Sequence, residues 1–233
     1  MRLILTRPEE DSRGLAGKLR ALGHDTVICP LLDIVANPNI TIPVKPWAAL
    51  VITSANGVRC LPQGALKADL LVITVGEQSA QAARQRGFQK VEAHGGDVEK
   101  LAAWIMGKVD PHAGPLLYAT GKEISGDLAA LLNKAEFEVE RVETYQAVAQ
   151  PLVLSSDEIS ACDGILLYSP RSAKLWLDEI LGGGKAGVAE KLHHYCLSPA
   201  VAKILPQDWH KSVALEPTER ALLQLLEPGG KGE

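Results

Sequence analysis

The stretch Leu50-Val51-Ile52-Thr53-Ser54-Ala55-Asn56 decides how this chain is read, because its pattern returns at Ile165-Leu166-Leu167-Tyr168-Ser169-Pro170-Arg171. In each copy an apolar run ends in Ser and a helical pattern begins at once. A continuous apolar run, in place of an alternating one, marks a strand buried on both faces, as in a parallel sheet covered by helices. Ser suits the junction because its hydroxyl accepts a hydrogen bond from a free amide of the first helical turn. Outward from the two copies the spacing repeats. The first is followed by a run ending at Val75-Gly76, then by Val91 and a helical pattern containing Leu101; the second by Leu197-Ser198, Val213 and Leu223. Gly76 to Val91 is the same step as Ser198 to Val213, and Val91 to Leu101 the same as Val213 to Leu223. The chain therefore contains an internal repeat of strand-helix units.

The other apolar runs complete the pattern. Strands are predicted at 2–6, 25–29, 49–53, 70–75, 90–93, 116–120, 138–145, 164–168, 195–197 and 212–215. Helices lie between them. Leu15, Leu19 and Leu22 share a face that stops at Gly23. Leu101, Ala102, Ile105 and Val109 follow a cap at Asp97, and Leu128, Leu131 and Leu132 follow Ser125. Leu222, Leu223 and Leu226 follow Thr218, in a helix that ends before Pro228-Gly229-Gly230. Such alternation predicts an α/β fold with doubly wound parallel sheets. Ten strands are too many for one small sheet, so two domains of about five strands each are expected. The second copy has only three strands after residue 150 and needs the first two of the chain to make five. The expected organisation is a discontinuous domain of residues 1–33 plus 150–233 and an inserted domain of residues 40–144. A hinge is expected at 34–39 and 145–149, where the crossing segments pair as a two-stranded antiparallel β ladder.

Composition narrows the function classes. The 233 residues are 46% hydrophobic and 22% charged, which argues against disorder. The net charge of −4 disfavours a nucleic-acid partner. No apolar run approaches the ~20 residues that span a bilayer, and the start lacks the apolar stretch of a signal peptide, so no membrane association and a cytoplasmic location are expected. The four cysteines, Cys29, Cys60, Cys162 and Cys196, lack paired spacing and read as small buried residues. The one histidine pair, His193-His194, points in two directions, and no metal site is expected.

In open α/β sheets ligands bind beyond the carboxyl ends of the strands. There the sequence places Thr6-Arg7-Pro8, Thr53-Ser54-Ala55-Asn56, Gly76-Glu77-Gln78-Ser79, Gly95-Gly96-Asp97, Thr120-Gly121-Lys122, Ser169-Pro170-Arg171-Ser172, Ser198-Pro199 and Pro217-Thr218. Small and hydroxyl residues at helix N-termini leave amides facing outward, and with the helix dipole these favour anions. The same residues are ordinary N-caps, so the functional reading rests on their number. There is no GxxxxGK[ST] loop, no GxGxxG after the first strand, no GxSxG elbow and no HExxH. Arg7 and Arg171 follow strand ends of one domain. Lys122 is either a ligand or a solvated charge, and Tyr145 either a hinge-packing residue or a functional one.

Taken in order, Leu5-Thr6-Arg7-Pro8, Thr53-Ser54-Ala55-Asn56-Gly57-Val58, Val75-Gly76 with Ser79-Ala80, Glu143-Thr144-Tyr145-Gln146-Ala147-Val148, Ser169-Pro170-Arg171-Ser172-Ala173 and Pro217-Thr218 carry a resemblance. Over essentially its whole length the sequence resembles the uroporphyrinogen-III synthase family. The resemblance implies a bilobal lyase of tetrapyrrole synthesis that needs no cofactor. Its substrate would be hydroxymethylbilane, a polycarboxylate tetrapyrrole cyclised with inversion of the last ring. It further implies that Tyr145 matches the tyrosine proposed to assist hydroxyl departure, and that Ser54, Ser79 and Ser169 match cleft positions. With the strand-end reading, the expected binding set is Arg7, Ser54, Asn56, Gly76, Ser79, Gly121, Lys122, Ser169, Arg171 and Ser198. Two departures stand out. Many members carry Arg-Gly where this chain has Thr120-Gly121, and a Gly-Pro-Thr turn where it has Leu197-Ser198-Pro199-Ala200. A monomer, with transient contact to the preceding pathway enzyme, is expected. The alternative is a non-catalytic bilobal protein that binds a small anion.

Overall fold

The computed structural model describes residues 1–94, 97–124 and 126–227. The chain begins β1 (Arg2–Leu5), α1 (Glu9–Ala21), β2 (Asp25–Ile28) and β3 (Leu32–Ala36). It continues β4 (Ala49–Ile52), α2 (Ala55–Arg59), β5 (Leu71–Thr74), α3 (Glu77–Gln85), β6 (Lys90–Ala93), α4 (Val98–Lys108), β7 (Leu116–Gly121), α5 (Leu128–Asn133) and β8 (Val139–Ala149). Then come α6 (Ser156–Ser160), β9 (Gly164–Leu167), α7 (Pro170–Gly182), α8 (Ala186–Ala189), β10 (His193–Cys196), α9 (Pro199–Ala202), β11 (Lys211–Val213) and α10 (Glu219–Gln224). Contacts divide the chain into two compact units, one of Met1–Asp33 with Val148 onward, the other of Ile34–Ala147.

The first unit holds a sheet in the order β11-β10-β9-β1-β2, every pair parallel. The second sheet has six strands, β3-β8-β7-β4-β5-β6, one more than expected. Its pairings from β8 across to β6 are all parallel. On the sequence repeat, β9, β10 and β11 stand for β4, β5 and β6. The sheets then read alike: β2-β1-β9-β10-β11 matches β8-β7-β4-β5-β6. β1 and β2 do for one sheet what β7 and β8 do for the other, so one sheet is a circular permutation of the other. The extra strand, β3, is the outgoing crossing segment laid against β8, and β8 runs through the return segment to Ala149 in place of stopping at Tyr145. The Asn37 amide donates to the Thr144 carbonyl and the Gln150 amide to the Leu31 carbonyl. One strand steps forward as the other steps back, which is antiparallel pairing.

Alternation along each strand feeds two faces. In the first unit Leu3, Leu5 and Leu166 pack on Leu15 and Leu19 of α1 and Leu222 of α10, while Ile4, Ile165 and Leu167 pack on Trp176 and Ile180 of α7. In the second, Val51, Ile73 and Tyr118 meet Leu101 and Ile105 of α4 and Leu128 and Leu132 of α5; Leu50, Ile52 and Val72 meet Val58 of α2 and Ala82 and Ala83 of α3. Both faces of each sheet are covered, which is why the strands read as unbroken apolar runs.

Some local expectations shift. Ser125 lies outside the described residues, as do Gly95, Gly96 and Pro228-Gly229-Gly230; the α5 helix is capped by Asp127, whose carboxylate accepts from the Ala130 amide at 3.0 Å. Leu22 falls beyond the end of α1 and is exposed, because Gly23 takes a positive φ of 82° and turns the chain. β10 begins at His193, two residues before the predicted strand. Cys29, Cys162 and Cys196 are buried and Cys60 is half-buried; none of the four is in a disulfide. No described helix is long and apolar enough to cross a membrane.

Candidate active site

The helices that follow neighbouring strands fix where a ligand can enter each sheet. In the first unit α1 leaves β1 toward one face and α7 leaves β9 toward the other. The strand ends of β1 and β9 therefore flank a switch point, where the crevice of a doubly wound sheet opens. In the second unit α2 follows β4 on one face and α5 follows β7 on the other, so the switch lies between β4 and β7. Most of the expected site residues sit at these two places, each within its own unit.

At the first switch are Arg7, Ser169 and Arg171. Arg7 is not an open cation: its guanidinium meets Asp11 at 3.0 Å and Glu219 at 3.3 Å and lies over the Tyr168 ring, 4.7 Å from its centre. The Tyr168 hydroxyl is buried without a hydrogen-bond partner among the described residues. Burial, and after it the negative charge of Glu219, raises its pKa well above the usual phenol range, against the opposing charge of Arg7. Ser169 caps α7 in a reciprocal capping box with Ser172, accepting from the Ser172 amide at 3.1 Å. Arg171 is exposed in the first turn of α7. Ser198, one strand out at the end of β10, begins α9 without a side-chain cap bond.

At the second switch are Ser54, Asn56, Gly121 and Lys122. The Ser54 hydroxyl accepts from the Asn56 amide at 3.3 Å, and buried Asn56 accepts from Arg59 at 3.0 Å, so both are tied into α2. Gly57 lets α2 lie on β7: a Cβ there would stand 2.7 Å from the Ala119 carbonyl oxygen. Gly76 and Ser79 lie one strand away, around the start of α3. Gly76 has open space where a side chain would go, and Ser79 is buried in the first turn. Lys122 is exposed.

Tyr145 stands on β8 beside β7. Its pairing carries a register shift: Thr120 is opposite Glu143 but Gly121 is opposite Tyr145, leaving Thr144 as a bulge. Thr144 is fully buried and its hydroxyl donates to the Thr120 carbonyl at 3.2 Å. Bulges re-aim the side chains that follow them. Here the Tyr145 ring comes to rest on Gly121, where a Cβ would lie 2.8 Å from the ring and 3.0 Å from the phenol oxygen. Gly121 thus makes room for Tyr145, a role distinct from ligand contact. A basic group also reaches this strand end, from a residue the linear reading passed over. Arg141 donates to the Gly121 carbonyl at 3.0 Å and the Lys122 carbonyl at 2.8 Å. Only the register of β7 on β8 brings it there.

The histidine pair belongs to packing. Trp176 can only donate, so it donates to His194 Nε2 at 3.3 Å, and His194 Nδ1–H then donates to the His210 carbonyl at 3.2 Å. Burial pushes the His194 pKa down to about 4. Among the described residues no group of His, Cys, Asp and Glu is placed to hold a metal.

Fold and edges define an α/β protein of two doubly wound units, each presenting hydroxyls and helix N-termini at a switch point. The family model of uroporphyrinogen-III synthase HemD matches residues 13–224, and the chain belongs to that family, lyases of porphyrin and heme biosynthesis. It is similar in fold to the uroporphyrinogen-III synthetase of Helicobacter pylori, at 20% identity and a TM-score of 0.63, over 97% of this chain and 98% of that one. It is also similar to a mutant uroporphyrinogen III synthase of the extremely thermophilic bacterium Thermus thermophilus, at 13% identity and a TM-score of 0.50, over 97% of each chain. Among curated protein sequences none matches.

Proposed function

We propose that this enzyme converts hydroxymethylbilane to uroporphyrinogen III: the terminal hydroxyl leaves as water, the ring closes, and the last pyrrole is inverted through a spiro intermediate. The observation that supports it, beside family membership, is the gathering of helix starts and hydroxyls at both switch points, with Tyr145 bulged onto one of them. A polycarboxylate calls for many hydrogen-bond donors, and helix N-termini supply them without concentrated positive charge. Uncatalysed closure gives the non-inverted ring, so the protein's task is to hold the linear chain where inversion wins, which is catalysis by positioning. In this reading the carboxylates are shared by amides and hydroxyls at both sheet edges, Ser54, Ser79, Ser169 and Ser198 among them, with Lys122 and Arg171 as cations at the rim. Tyr145 meets the departing hydroxyl. No metal or redox group is called for, since no oxidation state changes. The crossings at 34–39 and 145–149 serve as the hinge of a cytoplasmic monomer that closes on its substrate.

Incubation with enzymatically generated hydroxymethylbilane, followed by separation of the product isomers, tests the proposal. The inverted isomer in excess of the uncatalysed background is expected; the non-inverted isomer alone would overturn it. Small-angle scattering with saturating porphyrinogen tests the hinge separately, a fall in the radius of gyration being the expected result.

A further inference from the structure

The end of β7 is held more firmly than an exposed strand end requires. One terminal nitrogen of Arg141 is shared among the carbonyls of Gly121 and Lys122 and the Glu143 carboxylate, the last at 3.2 Å. The Lys122 amide in turn donates to the carbonyl of Tyr145 at 2.8 Å. The Tyr145 ring lies against Gly121 itself. Three links therefore join one guanidinium to one phenol: carbonyls fixed by Arg141, a backbone bond from the fixed turn to Tyr145, and a ring seated on the glycine between them. Guanidinium suits the post, because its donors leave a rigid plane in fixed directions, whereas an ammonium offers one point of charge. These bonds turn that terminal nitrogen toward protein acceptors and away from the role of a ligand donor.

We propose that Arg141 is a positioning residue, setting the place of the Tyr145 phenol through the Gly121-Lys122 turn; this rests on the reading of Tyr145 as the group that assists hydroxyl departure. A misplacement of the phenol of about 1 Å is enough to lower turnover strongly while leaving the carboxylate contacts in place. Loss of Arg141 should therefore lower kcat and leave KM nearly unchanged.

A double-mutant cycle on the intact enzyme tests this, with hydroxymethylbilane as substrate and Arg141→Met, Tyr145→Phe and the double variant compared. Arg141→Met is expected to lower kcat by about tenfold, less than the ~10²-fold at the low end of what losing a proton donor outright costs. It should add nothing in the Tyr145→Phe background. Arg141→Lys, which can still reach one carbonyl, should recover part of the loss. Independent losses that multiply in the double variant would overturn the proposal and make Arg141 a group acting without Tyr145, as would a raised KM at constant kcat. Full activity of Tyr145→Phe would instead sink the underlying reading of the tyrosine. If Arg141→Met fails to fold, Arg141→Lys and Gly121→Ala, which pushes on the ring directly, carry the same cycle. A Gly121→Ala enzyme with unaltered kcat would then count against the seat.

Discussion

Tyr145 illustrates how little of a site lies in the residue itself. Hydroxide departs poorly unless a donor meets it, and a phenol O–H is such a donor. Tyr145→Phe keeps the ring on Gly121 and removes only the donor. Turnover should fall by up to about a hundredfold, KM should change less, and the inverted isomer should remain the product, because isomer choice belongs to the shape that holds the chain. Steady-state kinetics with isomer analysis decide it; unaltered turnover would return Tyr145 to a packing role. The sequence singles out the tyrosine only through its motif, and it does not show the seat on Gly121, because a one-residue bulge at Thr144 leaves no mark in composition or period. Arg7 was legible as a cation at a strand end, yet Asp11 and Glu219 hold it. Charge is a property of a neighbourhood, and Glu219 is remote in sequence. His194 gives a prediction of another kind. Its pKa is depressed to about 4 by burial, so the unfolded chain takes up a proton before the folded one does. The stability it lends is complete above its unfolded pKa of ~6.5 and is lost as pH falls toward 4, on the order of 3 kcal/mol. Denaturant unfolding between pH 7 and 4.5 should show this decline, and an imidazole titration that placed His194 near 6.5 would remove its basis.

At the scale of elements, the helix starts have two duties that one substitution can separate. Ser169 closes the capping box of α7, and its hydroxyl also lies at the first switch point. Asp caps as well as Ser and favours the positive end of the helix dipole, but it sets a negative charge before a polycarboxylate. Ser169→Asp should therefore keep the melting temperature and raise KM, whereas Ser169→Ala should lose about 1 kcal/mol of stability. Thermal melts paired with kinetics read both, and an unchanged KM in Ser169→Asp would leave Ser169 a cap alone. Strands were the legible elements, because burial on both faces writes unbroken runs such as Leu50 to Ile52 and Ile165 to Leu167. Short helices were less so: α6, α8 and α9 offer one turn or little more, too few residues for a period to show. The β3 strand was visible only as a β-prone crossing, since a strand at a sheet edge is half-exposed and its pattern is diluted.

For the whole molecule the repeat was readable, because two matched spacings are independent of any single residue, and it led to the split first sheet. It did not disclose the permutation of one sheet onto the other, which depends on which strand neighbours which. The second unit is contiguous, Ile34–Ala147, and closes its own sheet with both faces covered. Residues 34–147 expressed alone should unfold in one cooperative transition with α/β circular dichroism; a fragment without such a transition would show that it depends on the rest of the chain. The first unit is different in kind. Its β1 is an inner strand, flanked by β2 and by β9, with Leu3, Ile4 and Leu5 all but sealed from water. On the ribosome that strand emerges before its partner β9, which follows only after the entire second unit has been made. For that interval one edge of β1 is an open row of backbone donors and acceptors beside bare leucine side chains, the kind of surface on which nascent chains stick to one another. The order of birth thus gives the inserted unit a head start in folding and leaves β1 waiting with one side unpaired until β9 is made.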